Sequence, residues 1–213
     1  ALPPFRFLEA VVRMPGGEHI GVPELKARIT RGDAKVTAVV TSLLRATVMA
    51  KRVAAIRALR EVKLATALGD LTAALKAKER EVRLAAVETL AFFPSAGASH
   101  ALSEALEKDE DEVVRFEVAT VMAAMPDMSA KVTGLKYFLS STQVERKAKA
   151  IESLKANPFP EARPHLLPLL KDSEPKIRKA AVDALVASVD GAVLDALKDV
   201  MSGDTEAEVR EAA

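Results

Sequence analysis

Basic side chains recur at a fixed interval along this sequence, and carboxylates recur beside them. A Lys or Arg stands second in a six-residue window that returns six times, with starts 31 or 32 residues apart, and an Asp stands five residues before three of the windows. Because a ligand does not need the same groups in every repeat, we interpret the two series as a structural ladder. Each carboxylate can cap the next helix or reach the basic side chain of an adjacent repeat. The basic residues are Arg52, Arg83, Arg115, Lys147, Arg178 and Arg210, and the acidic ones are Asp109, Asp172 and Asp204.

Other residues that could perform chemistry form no recognisable motif. The three histidines, His19, His100 and His165, are isolated from one another and from carboxylates at metal-ligand spacing. The acidic run 107–112 lacks the alternating ligands and central glycine of a calcium loop, so we interpret it as a solvated turn. The sequence contains no cysteine. We therefore predict no catalytic residues, no cofactor and no metal site.

A pair of leucine-type residues four positions apart precedes each window from the second onward by 11 or 12 residues. Residues four apart lie on one face of a helix, so a first helix comes before the helix that carries the window. The repeated unit is therefore predicted to be a helical hairpin. The pairs are Leu71 and Leu75, Leu102 and Leu106, Leu135 and Leu139, Leu166 and Leu170, and Leu197 and Met201.

The second helix has its own apolar stripe. Counted from the window start and past its end, positions one, five, six and nine are mostly apolar, as in Val82, Ala86, Val87 and Leu90, and they share one side of a helix. Alanine at the fifth position of most windows allows two helix backbones to approach closely. Prolines follow the windows at a constant distance and are expected to end the second helices. These prolines are Pro94, Pro126 and Pro158.

The segments 81–90 and 172–185 resemble HEAT repeats, and more closely the short, alanine-rich HEAT-like type first described in phycobilin lyase subunits. The resemblance covers residues 33–213 and implies an all-α fold, an α-solenoid of about five to six HEAT-like hairpins. It implies little about function, since such repeats serve as scaffolds, adaptors, lyase subunits and occasional enzymes. HEAT-like hydroxylases use adjacent His-Glu pairs, which this sequence lacks.

The phased windows predict five complete hairpins and no strand. The hairpins are expected near residues 34–61, 67–92, 98–124, 129–156 and 162–188, and a sixth begins and is cut at Ala213. Residues 1–32 lie outside the repeat. We expect them to form N-terminal capping helices, or a linker from an upstream domain, and we expect the chain to be an excerpt of a longer protein.

Composition and charge limit the classes of partner. The 213 residues are 49% hydrophobic and only 4% aromatic, with no 18-residue apolar run and no signal peptide. We therefore predict a cytoplasmic protein without membrane insertion. Net charge alternates along the chain: +3 in 1–50, +4 in 51–90, −6 in 91–130, +6 in 131–179 and −6 in 180–213. This alternation disfavours a continuous track for nucleic acid.

A partner site is predicted on the concave face, which second helices line in HEAT-type stacks. Large apolar residues there stand at positions opposite the core stripe, and basic residues flank them. The alternative is that these side chains pack against the neighbouring repeat. The candidate partner-binding residues are Leu84, Phe92 and Phe116, with Arg57 and Lys149 as basic rims, supported by Arg60 and Lys155.

We predict that the chain is a non-enzymatic scaffold or adaptor module that binds a protein partner, a helix or peptide, through this face. Two alternatives belong to other classes: a nucleic-acid-binding helical repeat protein, and an accessory subunit of a chromophore lyase-like enzyme. Helical-repeat DNA glycosylases surround their catalytic Asp with tryptophan and other aromatics, whereas this chain has no Trp and one Tyr, Tyr137.

Duplex DNA is expected to bind weakly and without sequence preference, because the charge blocks alternate in sign. A salt titration of DNA binding checks this, since a true polyanion complex loses affinity steeply as salt rises. A tight, steeply salt-dependent complex at physiological ionic strength would support the nucleic-acid alternative instead.

Overall fold

The computed structural model of the chain describes residues 22–62, 64–156, 158–187 and 190–213, and the regular structure in these ranges is entirely helical. The α-helices are α1 Val22–Thr30, α2 Ala34–Leu44, α3 Met49–Val62, α4 Leu68–Ala74, α5 Arg80–Leu90, α6 Ala96–Lys108, α7 Glu112–Ala124, α8 Met128–Leu139, α9 Val144–Ala156, α10 Arg163–Leu166, α11 Pro175–Val186, α12 Gly191–Gly203 and α13 Ala207–Ala212. Short 3-10 turns precede α4 (Ala65–Ala67) and flank α10 (Pro160–Ala162 and Leu167–Lys171).

Two helices fall in each period, so α2 and α3 form repeat 1 and α12 and α13 form repeat 6. The predicted hairpins are in phase with the observed helices, to within a few residues at each end. The all-α prediction and the expected lack of strands are confirmed for the part of the chain that the structure describes. Pro94, Pro126 and Pro158 each follow the end of a second helix, as predicted.

The N-terminal region is described only in part. The predicted helix at 5–13 lies outside the described residues, whereas the helix predicted from Val22 is α1, which packs against α2 and α3. Gly32 follows α1 with a φ of 78°, a left-handed conformation that glycine adopts without steric cost. Asp33 then caps α2, because its carboxylate accepts hydrogen bonds from the amides of Lys35 and Val36. A capping role for residues 1–32 stays a prediction.

The chain divides into two compact units, Ala1–Ala130 and Lys131–Ala213. Within each unit the second helices of consecutive repeats pack against one another: α3, α5 and α7 in the first unit, and α9, α11 and α13 in the second. In the first unit these contacts are more extensive than those between the first helices α2, α4 and α6. Each unit is therefore a short α-solenoid held mainly by its second helices.

The predicted apolar stripe of the second helix forms the core. Val82, Ala86, Val87 and Leu90 are fully buried, and the equivalent residues of α11 are buried too. In α12, which is a first helix, the predicted core-facing pair Leu197 and Met201 was wrong at Met201, which is 54% exposed. Val193, Leu197 and Val200 are buried instead, a spacing that follows one face of the helix.

One buried polar side chain also links neighbouring repeats. The Thr89 hydroxyl in α5 donates a hydrogen bond of 3.2 Å to the backbone carbonyl of Ile56 in α3. Thr89 is fully buried. A buried hydroxyl needs such an acceptor, because leaving it unpaired costs about 1–3 kcal/mol. The bond fixes α5 against α3 along their axes.

The predicted ladder of ion pairs is present within each unit. Arg83 of repeat 2 binds Asp109 of repeat 3 through two nitrogens, at 2.7 and 3.2 Å. Arg178 binds Asp204 in the same way at 2.7 and 2.9 Å, and Lys147 binds Asp172 at 2.6 Å. Two-point contacts of this kind add geometric specificity to the attraction. Arg52 pairs instead with Glu79, at 2.6 Å.

The prediction that these aspartates cap the following helix was wrong. Asp109, Asp172 and Asp204 lie just after the first helix of their repeats, and each accepts a hydrogen bond from the amide two residues further on. In repeat 3 the residue that caps the second helix is Asp111, through the amide of Val113. The aspartates thus shape the turn and bind the previous repeat, and they do not cap the following helix.

The ladder arginines also satisfy the turn of their own repeat. Arg83, Arg178 and Arg210 each donate through Nη1 to the carbonyls five and six residues upstream, and Arg115 donates to the carbonyl of Asp109. Carbonyls at the end of a helix have no intrahelical partner, so these bonds replace ones that the helix cannot make. A single guanidinium, such as that of Arg83, therefore binds both the turn of its own repeat and the aspartate in the turn of the next repeat.

We expect Asp204→Asn to remove part of the acid sensitivity of the second unit. The hydrogen bond from Arg178 lowers the pKa of Asp204 to about 2, and the amide of Glu206 contributes. The folded-state pKa is depressed, so the stabilisation is present above the usual carboxyl pKa of 3.8 and is lost as pH falls through about 2. In the variant, unfolding free energy should be about 1–3 kcal/mol lower near neutral pH and should change less between about pH 4 and 2.

Urea denaturation of both proteins across that pH range measures the effect. Asp195→Asn is the matched control, because Asp195 lies in α12, the helix that ends just before Asp204, and its side chain is 81% exposed. Equal pH dependence in wild type and Asp204→Asn would show that the pair does not contribute to acid stability.

Candidate functional site

The predicted partner-binding residues belong to second helices or to the turns that follow them. Arg57 lies in α3, Leu84 in α5, Phe92 two residues beyond the end of α5, and Phe116 in α7, all within the first unit. Lys149 lies in α9 of the second unit and is exposed. We call the four first-unit residues the second-helix patch, and the role of Lys149 as a rim stays a prediction.

The three large apolar residues of the patch differ in exposure. Leu84 is half-buried and packs against the core of the first unit. Phe116 is also half-buried, and its backbone carbonyl accepts the hydroxyl of Thr120. Phe92 is 40% exposed. The packing alternative is therefore supported at Leu84, and the partner-binding alternative is supported at Phe92.

Arg57 does not stand alone at the edge of the patch. Its Nε and Nη2 atoms lie 3.2 and 3.3 Å from the two carboxylate oxygens of Glu88 in α5. Arg60 places Nη1 3.8 Å from the same carboxylate, and its guanidinium carbon lies 4.7 Å from the centre of the Phe92 ring. This is cation–π geometry.

The role of Glu88 was missed in the sequence, although a signal was there. Glu88 stands six residues after the window start in repeat 2, as Arg57 does in repeat 1, so the two are one period apart. Opposite charges at equivalent positions of adjacent repeats predict an ion pair across the stack. The second unit contains a related pair: Lys155 lies 3.2 Å from Asp183 of the next repeat.

A cleft in the first unit, which we call the first-helix cleft, lies between the first helices α4 and α6. Its volume is about 970 Å³, and small residues line much of it, including Gly69, Ala73, Gly97 and Ala101. At its edge Lys76 and Lys108 both bind the carboxylate of Glu104, at 3.1 and 3.0 Å. Hydrogen bonds from Lys108 and Lys76 lower the pKa of Glu104. The cleft was not predicted from the sequence, because glycine and alanine positions alone do not distinguish a cleft from close helix packing.

The histidines contribute no catalytic cluster to the described part of the chain. His100 borders the first-helix cleft, and burial together with the charge of Lys136 lowers the pKa of His165. His19 lies outside the described residues. Within the described ranges, no three His, Cys, Asp or Glu residues are grouped so that they could hold a metal ion. None of the described helices combines the length and apolar character needed to cross a membrane.

The stacked hairpins and their period are those of a known family. A family model described as HEAT repeats matches residues 36–123 and 132–213. The chain belongs to the HEAT repeat family. HEAT and armadillo-like repeats are typical of protein-interaction scaffolds, and the match includes all four residues of the second-helix patch.

Two solved structures resemble this HEAT repeat chain. One is an engineered protein from the Northeast Structural Genomics Consortium, with 23% identity and a TM-score of 0.48 over 89% of this chain. The chain spans 58% of the length of that protein. The other is a designed armadillo repeat protein in complex with the peptide (KR)4, with 22% identity and a TM-score of 0.38, covering 98% of this chain and 87% of that one. No curated protein matches the sequence.

Alanine substitutions should separate packing from surface positions in these HEAT repeats. Leu84→Ala should lower the free energy of unfolding by about 1–3 kcal/mol, because Leu84 contacts the core. Phe92→Ala should lower it by less than about 1 kcal/mol, since an exposed ring forms few buried contacts. Urea denaturation measures both values. A larger loss for Phe92→Ala would show that its ring is a packing residue.

Proposed function

We propose that this chain is a non-enzymatic protein-interaction module whose partner, a helix or peptide, binds the second-helix patch. The observation that carries the proposal is Phe92, a ring 40% exposed beside the guanidinium of Arg60. An apolar ring at a surface gains free energy when a partner covers it, by about 25 cal/mol for each Å² of apolar area removed from water.

The neighbouring positions favour contact with a partner. Ala91 and Ala124, which stand at outward positions of their repeats, are small and exposed, so a partner backbone can approach the surface closely. Leu84 and Phe116 retain part of their surface beside them. Binding energy usually concentrates in a few bulky anchors surrounded by such neutral contacts.

The non-enzymatic part of the proposal is supported by the origin of the shifted pKa values. Among the described residues, the lowered carboxyl pKa values belong to groups that bind lysines, arginines or turn amides. Burial alone would raise the pKa of Asp172, for example, but Lys147 and the amide of Glu174 lower it overall. Groups that perform catalysis are usually shifted toward the working pH instead, and these carboxyl groups are shifted away from it.

Phe116→Ala should weaken partner binding by about 1–3 kcal/mol if Phe116 is an anchor, and Phe116→Asp should abolish it. If Phe116 is a packing residue, Phe116→Ala should instead lower unfolding stability by about 3–5 kcal/mol. Affinity capture from cells of the source organism compares partner binding between wild type and variants, and thermal melts compare their stabilities. Equal capture by wild type and Phe116→Asp would contradict the proposed site.

Gly69→Leu is the matched control on the first-helix surface. A Cβ added at Gly69 would have no heavy atom within 4 Å, so we expect a leucine there to extend into the first-helix cleft. Gly191→Leu makes the same change in the second unit, where an added Cβ also has no heavy atom within 4 Å. Loss of the partner with Gly69→Leu alone would place binding on the first-helix surface. Lys149→Gln tests the predicted rim separately.

A further inference from the structure

Two guanidinium groups share a single carboxylate at the edge of the second-helix patch. Arg57 hydrogen-bonds both oxygens of Glu88, whereas Arg60 lies 3.8 Å away, beyond hydrogen-bond distance. Two positive charges thus face one negative charge, and the group of three keeps a net charge of +1. Each guanidinium has five N–H donors, and Glu88 occupies only two of the ten.

The same arginines remain accessible to a ligand. The side chains of Arg57 and Arg60 are 41% and 38% exposed, and that of Glu88 is 30% exposed. Stacking on Phe92 holds Arg60 in one place, which reduces the entropy that a ligand would have to remove. Positive charge, unused donors and an apolar ring therefore lie within one small surface.

We infer that the segment recognised here is acidic: an Asp or Glu beside a large apolar residue, within a peptide or helix of a protein partner. The carboxylate would bind Arg57 and Arg60, because the planar guanidinium matches a carboxylate through two parallel hydrogen bonds. The apolar residue would cover the exposed part of Phe92. This inference rests on the proposed function and specifies the chemistry of its partner.

The charge distribution favours a short acidic segment over an extended polyanion. Residues 91–130, which include α6 and α7, carry a net charge of −6. A nucleic acid running along the stack would meet this repulsion, whereas a segment with one or two carboxylates needs only the cluster in repeats 1 and 2. A basic peptide would be repelled by the arginines themselves.

Selection of phage-displayed random dodecapeptides on the whole chain tests the inference. Selected peptides should share an acidic residue next to Leu, Phe, Tyr or Trp. Fluorescence anisotropy with a labelled selected peptide should show about tenfold weaker binding, or more, for Arg57→Gln combined with Arg60→Gln, since hydrogen bonds between charged groups are stronger than those between neutral ones. Arg45→Gln should leave binding unchanged: Arg45 also lies in repeat 1, is 72% exposed and pairs with Asp70 away from the patch.

Glu88→Gln provides a test with the opposite sign. Removing the shared carboxylate frees donors on both arginines and raises the local net charge, so an acidic peptide should bind several-fold more tightly. If Glu88 only supports the structure, its loss should weaken binding or leave it unchanged, and either result would overturn the inference. Thermal melts confirm that each variant is folded, and Glu88→Gln keeps the test decisive if the double arginine variant unfolds.

The remaining outcomes separate the inference from the proposed function. Selected peptides that require Phe92 but carry no acidic residue, or that bind the double arginine variant normally, overturn the acidic chemistry and leave the patch in place. Peptides indifferent to both Phe92→Ala and Phe116→Asp contradict the patch itself. Failure to enrich any sequence family overturns the inference, as does displacement of the peptide by single-stranded DNA through the two arginines, which would indicate phosphate recognition.

Discussion

Close packing of consecutive second helices is the constraint on which this structure depends. Helices that repeat every 31 or 32 residues stack closely when the same positions in most copies are small enough to let the next helix approach. Ala86 and Ala181, both fully buried, meet this requirement, and the β-branched residues beside them fill the remaining space. Stability is then shared between neighbours, and no single central core is needed. The first helices are held less tightly, which leaves room between α4 and α6 for a cleft.

Polar contacts then select one arrangement among the packings that an alanine-rich surface allows. Small apolar faces can slide past one another with little change in buried area. The Thr89 hydroxyl and the two-point pairs of Arg83 and Arg178 have fixed lengths, so they are satisfied at one axial position only. Apolar burial thus supplies most of the attraction, whereas these polar groups determine the register.

The sequence was sufficient for the period, the helices and the core stripe, because each repeat provides an independent copy of the same pattern. Val82 and Ile177 stand at the same position in different repeats and are both fully buried. Features that occur once could not be averaged in this way. The sharing of Glu88 by two arginines depends on side-chain conformation, and the cleft at Gly69 depends on the lack of large side chains there. The capping role of Asp109 was misplaced because a carboxylate at a turn can bind either the turn or the helix, and only atomic distances decide.

The double role of the ladder arginines has a consequence for where this chain can change in length. Each guanidinium reaches carbonyls five and six residues before it, and that separation is the same for Arg83, Arg178 and Arg210. An inserted residue in this stretch would break the bonds to the turn, and would also shift the Asp109 or Asp204 carboxylate away from the preceding arginine. The one-residue variation between periods must therefore be absorbed elsewhere. An insertion that keeps these bonds must therefore lie outside the turn that the arginine closes.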